Sequence, residues 1–156
     1  MGMAAKLKQY LQDEGLRYDL IAHPRTETSR ETAAAAHIPD DHIAKGVVLK
    51  DDTGFVLLVT AANRWAKVHA VQEALHRPLE LADETSLATI FDDCALGSVP
   101  AAGQAYGLET LLDEELTALA DVYFEAGDHE RLVRLSGDQF MQMMRGARRG
   151  HFTHES

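Results

Sequence analysis

Ile43-Ala44-Lys45-Gly46-Val47-Val48-Leu49-Lys50, followed by Asp51-Asp52-Thr53-Gly54 and then Phe55-Val56-Leu57-Leu58-Val59-Thr60, decides the fold. The outer blocks are apolar and rich in β-branched residues, the composition of strands buried on both faces. The middle block carries hairpin-type turn residues. Two buried strands joined by a short turn make a sheet centre. Lys45 stands at the mouth of the first strand, where water is thinning. An ammonium there can hold an anion or a developing oxyanion, because charge interactions strengthen as the local dielectric falls. Taken alone, the strand favours a plainer reading, a strand-end lysine that lays its stem on apolar surface and keeps its head in water.

Upstream, residues 5–14 place Leu7, Tyr10 and Leu11 at helical spacing and stop at Gly15. Residues 17–23 alternate, with Tyr18, Leu20 and Ala22 on one face and Asp19, Ile21 and His23 on the other, and Pro24 ends the strand. Thr28-Ser29-Arg30-Glu31 is a capping box for a helix that the alanine-rich stretch 32–37 continues. Downstream, the pattern predicts a helix over 67–75, a short strand over 79–81, a helix over 85–91 and a long loop over 92–105. A weaker strand over 108–112 and a turn at Asp113-Glu114-Glu115-Leu116 follow. Residues 121–125 and 131–135 read as paired strands joined through Ala126-Gly127-Asp128-His129, and 137–145 as a last helix. Interspersed strands and helices with at least two hairpins predict an α/β fold, a single mixed-sheet domain with surrounding helices. The domain spans 1–156, with its core at about 5–146 and a flexible, frayed tail over 147–156.

The 156 residues and 46% apolar content suffice for one core without disulfide staples, and the single cysteine, Cys94, allows no internal disulfide. The N-terminal segment has neither a signal peptide's apolar stretch nor an anchor's, so the expected location is the cytoplasm and no membrane partner is expected. A formal net charge of −10 excludes strong, sequence-blind duplex binding. It leaves room for a ligand held at one end. Arg64 with Lys67, and Arg145, Arg148 and Arg149, are local basic exceptions, the last three reading as a solvated helix end.

Two segments suggest chemistry. The loop Asp93-Cys94-Ala95-Leu96-Gly97-Ser98-Val99-Pro100-Ala101-Ala102-Gly103 frames a proline and small residues with glycines. Its backbone N–H groups can form a nest for an anion or carbonyl, although a plain connecting loop has the same composition. Gly127-Asp128-His129 puts a histidine, able to move protons near neutral pH, at a hairpin turn; an exposed turn histidine without a role is the commoner case. Ser98 lacks the strand, Gly-x-Ser-x-Gly and helix of a nucleophile elbow. Cys94 reads as structural, and the eight histidines show no convincing metal-ligand spacing.

Tyr18, His23, Thr28, Lys45-Gly46-Val47-Val48-Leu49, Thr60-Ala61, Phe91-Asp92-Asp93-Cys94, Gly97-Ser98-Val99-Pro100, Asp113-Glu114-Glu115-Leu116, Tyr123-Phe124-Glu125-Ala126-Gly127-Asp128-His129 and Asp138-Gln139-Phe140 together resemble the YbaK/EbsC family. This is the free-standing relative of the bacterial prolyl-tRNA synthetase editing domain. The resemblance implies hydrolysis of the ester of mischarged aminoacyl-tRNA, typically alanyl- or cysteinyl-tRNA for proline, with no metal or cofactor and with the tRNA's terminal ribose hydroxyl helping to activate water. It implies a catalytic Lys45, a substrate loop with Gly97 and Pro100, and a lining turn with Gly127 and His129. The 3′ end of aminoacyl-tRNA is then the expected partner, and prolyl-tRNA synthetase a candidate one. Around these, Ser98, Val99, Ala101, Gly103, Asp128, Tyr18 and His23 complete the expected substrate-binding set, with Lys45 projecting into a hollow floored by the 97–103 loop. Such a hollow would orient the ester, stabilise its oxyanion and select by size.

Many relatives follow the lysine with Thr or Asn, where this chain has Gly46, and carry a second proline, where it has Ala101. Both departures remove bulk or rigidity beside the expected pocket. They suit an alternative class, a non-catalytic binding module for a tRNA end, an amino acid or a nucleotide.

Overall fold

The computed structural model describes residues 2–155, which run in the order α1 (Ala5–Asp13), β1 (Asp19–Ala22), α2 (Ser29–Ala36), β2 (Ala44–Asp51), β3 (Gly54–Ala61), β4 (Arg64–Ala66), α3 (Val68–Leu75), β5 (Glu80–Leu81), α4 (Glu84–Ile90), β6 (Glu109–Asp113), β7 (Asp121–Glu125), β8 (Arg131–Ser136), α5 (Gly137–Met143), β9 (Arg148–Gly150) and β10 (Thr153–Glu155). Short 3-10 turns occupy Asp40–His42, Gly103–Tyr106 and Glu114–Leu116. This is the mixed-sheet α/β domain that the sequence predicts.

β2 and β3 pair antiparallel from Ala44↔Ala61 to Asp51↔Gly54. Their turn is built by Asp51, whose Oδ1 accepts from the amides of Thr53 at 2.9 Å and Gly54 at 3.2 Å. Arg77 grips the same carboxylate through two nitrogens, at 2.7 and 2.6 Å, and holds it well below the usual carboxylate range. The pair forms the middle of a five-stranded sheet of order β5-β2-β3-β6-β9, with β6 and β9 parallel to their neighbours. A second sheet, β1-β8-β7, is antiparallel, and β10 pairs with β4 in a third.

Alternation along β2 fixes what lies on each side of the large sheet. Ala44 and Val48 join Leu57, Val59 and Leu112 in a core shared with α1, α5 and the β7–β8 hairpin. Leu49 faces the other way, with Val56, Leu58 and Leu111, toward Val71 of α3 and Phe152. The two sheets meet at one parallel bridge, Ile43↔Tyr123. α2 seals this seam with Ala33 against Ile43, Ala62 and Leu132.

The tail differs from expectation. Residues 148–150 add a parallel strand to β6 and 153–155 pair with Arg64–Ala66, a strand that the sequence reading also lacked. The cause is tertiary. Buried Asp113 accepts from the Phe152 amide at 2.8 Å and the Thr153 hydroxyl at 2.9 Å, and Phe152 itself is buried. The capping box is realised on the Thr28 side, where Oγ1 accepts from the Glu31 amide at 3.1 Å.

Candidate functional site

Glu125, at the end of β7, organises the site. It is only 8% exposed. Its Oε1 accepts from the Thr32 hydroxyl of α2 at 3.2 Å and its Oε2 from the Ser98 hydroxyl at 3.4 Å. Ser98 Oγ in turn accepts from the His129 amide at 3.2 Å. His23 lies across the carboxylate, Nε2 to Oε1 at 3.9 Å, while its Nδ1 donates to the Pro24 carbonyl at 2.7 Å. Burial lifts the Glu125 carboxyl above its ordinary range; His23, Thr32, His129 and Ser98 pull the other way without cancelling it. The structure thus brings together His23, Ser98 and His129, with Glu125 and Thr32 as members that sequence reasoning did not single out.

The front of the loop is a turn. The Ser98 amide donates to Ala95 O at 3.0 Å, and Gly97 takes φ +81°, which a type II turn requires at its third residue. The His129 ring lies beside it, 3.6 Å from where a Gly97 Cβ would stand, and its Nε2 donates to Leu96 O. His129 is in the left-handed region at φ +62° and 2% exposed, so it is not the exposed turn histidine of the plainer reading. A left-handed non-glycine residue costs on the order of 1–3 kcal/mol and persists where its surroundings over-determine it. Here the Ala126 carbonyl accepts from the Ala4 amide at 2.8 Å and Gly127 O from the Ala95 amide at 2.7 Å, so α1 and the loop cover the turn. Asp128 turns inward, and its Oδ1 accepts from the amides of Glu130 and Arg131, both at 2.9 Å. It holds the turn, and its Oδ2 lies 3.7 Å from Arg131 Nε.

Lys45 lies in a neighbouring cleft of about 330 Å³, lined by Thr28, Ser29, Arg30, Ala62 and Trp65. Its Nζ donates to Arg64 O at 2.9 Å, and no carboxylate pairs with it among the described residues. Burial, and then the nearby Arg30 charge, lower its pKa.

The expectation of a single hollow needs correcting. Gly46 looks onto Leu57 and Val99, so the back of the loop packs on the opposite face of β2 from Lys45. Ala101 and Ala102 are fully buried there, and a Cβ on Gly103 would collide with Thr110 Oγ1. Val99 through Gly103 are therefore mostly core; only the front, Gly97 and Ser98, reaches the Glu125 cluster. Tyr18 is elsewhere, beside Arg134, Ser136 and Gln139 at the far end of the β1–β8 pair. The Lys45 cleft and the Glu125 cluster nevertheless adjoin. Thr32 Oγ1 also lies 3.0 Å from the Thr28 carbonyl, so α2 borders both. The Ile43↔Tyr123 bridge, two residues earlier on each strand, starts Lys45 and Glu125 out on the same side.

Cys94 is no nucleophile here. Burial pushes its thiol up to about 12, and it contacts Tyr106 and Asp93. Among the described residues, no group of three or more His, Cys, Asp or Glu side chains is placed to hold a metal ion.

A model of the aminoacyl-tRNA editing domain matches residues 23–143, a span that contains both the Lys45 cleft and the Glu125 cluster. The chain belongs to that family, the YbaK family. Solved structures share the editing-domain fold. One described as a candidate trans-editing enzyme for prolyl tRNA synthetase has TM-score 0.84 at 22% identity, with 97% of this chain and 96% of that one covered. A scaffold used for epitope backbone grafting has TM-score 0.85 at 22% identity, with 97% of each chain covered. A candidate signal transduction protein from Marinobacter aquaeolei VT8 has TM-score 0.80 at 19% identity; 99% of this chain aligns to 31% of that longer one. At these identities the likeness shows the fold. No curated protein matches the chain.

Proposed function

We propose that this editing domain is a trans-acting aminoacyl-tRNA deacylase of the cytoplasm. It hydrolyses the ester of small amino acids such as alanine or cysteine mischarged on tRNA for proline, without a metal, and works beside prolyl-tRNA synthetase. The observation that carries the reading is Lys45, a half-buried amine with a carbonyl as its partner and no carboxylate partner among the described residues. Family membership supports it. An ester has a good leaving group, so the protein must mainly orient it and stabilise charge. Lys45 then anchors a phosphate of the 3′-terminal nucleotide. Water adds to the ester carbonyl and gives up a proton, the oxyanion meets the front of the Gly97 loop, and collapse breaks the C–O bond to the ribose oxygen, which takes up that proton. The loop is held in place by Ser98 and His129. Lys45→Ala is expected to lower deacylation by about 10²–10³-fold. Its melting temperature should stay within about 4 °C of the parent. A panel of Ala-, Cys-, Ser- and Pro-charged tRNAs reads this, and full activity in the variant would remove Lys45 from the mechanism.

The binding-module reading keeps one specific support. A Cβ at Gly46 would stand 2.9 Å from Leu57 Cδ1, so the space that relatives give to Thr or Asn is filled by Leu57. Ligand-dependent thermal stabilisation without turnover across the panel would favour that reading.

A further inference from the structure

Trp65 is the chain's single tryptophan and is 58% exposed, an unusual placement for so large an apolar ring. Its backbone is well held. β4 pairs with β10 at Trp65↔His154, and next door Arg64 Nε donates to Thr153 Oγ1 at 2.7 Å. The Lys45 amine lies 6.0 Å from the ring centroid, at the outer limit of a cation–π contact. Indole, amine and Arg30 line one cleft. In a chain of net charge −10, this is a cationic recess with a bare aromatic face.

We propose that Trp65 is a stacking platform for a nucleobase of the single-stranded 3′ end of the tRNA substrate, with the adjacent Lys45 and Arg30 on its phosphates. The inference rests on the tRNA reading above and adds a second contact to it. A flat π-face beside two cations matches a nucleotide in both its parts, base and phosphate. It selects a single strand, because a base in a duplex already has both faces stacked. An acidic peptide would use the cations and leave the ring idle. Stacking is tolerant of base identity, so Trp65 would add affinity and position the terminal ribose without choosing the amino acid.

Because Trp65 is the sole tryptophan, its emission reports the contact directly. The full chain is titrated with a 5′-phosphorylated CCA trinucleotide and with versions in which one nucleoside at a time is abasic. Saturable quenching by CCA is expected, with affinity falling about ten- to a hundredfold for one abasic position. Trp65→Leu, followed by calorimetry, should weaken CCA binding by a similar factor, and Trp65→Phe should recover much of it. Calorimetric binding with unchanged emission, equal affinity for all abasic versions, no CCA binding at all, or Leu and Phe variants that bind alike would each overturn the platform. Deacylation is scored separately. Turnover with indifferent emission removes the stacking and keeps the hydrolase; position-dependent quenching without turnover keeps the stacking and leaves a binding module.

Discussion

Glu125 shows how much one side chain can hold. Alternation along β7 sends Val122 and Phe124 into the main core and Glu125 toward α2, where Thr32, Ser98 and His23 surround it. Burial raises its pKa from the ordinary 4.5. Below both values the group is protonated folded or unfolded. As pH rises past 4.5, the unfolded chain releases its proton first, so stability falls until the raised folded value is passed and stays lower above it. Glu125→Gln keeps the shape and removes this dependence. Its melting temperature is expected to match or exceed the parent's at neutral pH and to lack the parent's decline through the weakly acidic range. Glu125→Ala leaves the buried Ser98 hydroxyl without its acceptor, at a cost of about 1–3 kcal/mol. Thermal melts across pH test both. Parallel pH profiles for parent and Gln variant would show that this carboxylate is not the titrating group.

At the scale of elements, what was legible depended on whether a segment's reasons were local. β2, its turn and β3 carry their own pattern, and so do Thr28 as a cap and the β7–β8 pair. β9 and β10 do not. Arg148-Arg149-Gly150 and Thr153-His154-Glu155 are short and polar, and become strands because β6 and β4 offer edges and Asp113 waits for the Phe152 amide. The site divides in the same way. His129 was found as a turn residue, but its burial comes from α1 and the 95–98 turn, far away in sequence. The loop's glycines were found, but Gly103 serves close packing on Thr110. Trp65 gave no signal, because β4 exists only through β10. The tail therefore supports the site. Phe152 O accepts from the Lys67 amide at 2.7 Å, and Thr153 holds Arg64, whose carbonyl receives Lys45. Phe152→Ala is expected to cost about 3–5 kcal/mol. Deleting residues 151–156 should lower both stability and Lys45-dependent activity. A truncated chain that melts and turns over like the full one would mean that the tail is an ornament.

For the whole molecule, the question is how a chain of charge −10 holds a polyanion. Many of its arginines are already neutralised: Arg77 by Asp51, Arg134 by Asp19 and Asp121, and Arg149 by Glu114. Lys45 and Arg30 in the cleft leave roughly two phosphate contacts, even with Arg30 Nε 3.5 Å from Asp40. Counterion release from a single strand then gives a slope of log affinity against log salt of about −1.4. Raising salt from about 50 to 200 mM should weaken binding of a CCA-ended oligonucleotide only about sevenfold, where a protein with six to ten phosphate contacts loses about 10³–10⁵. Full-length tRNA should give the same shallow slope, since the acidic remainder of the surface repels the acceptor stem. Exposed Arg145 and Arg148 are the natural exceptions. If they also touch the double-stranded acceptor stem, the slope for tRNA steepens to about −3.2 while that of the oligonucleotide does not. Filter binding of both ligands across salt separates the two cases. Slopes steeper than about −4 for both would mean that the RNA is held by a basic surface other than the Lys45 cleft.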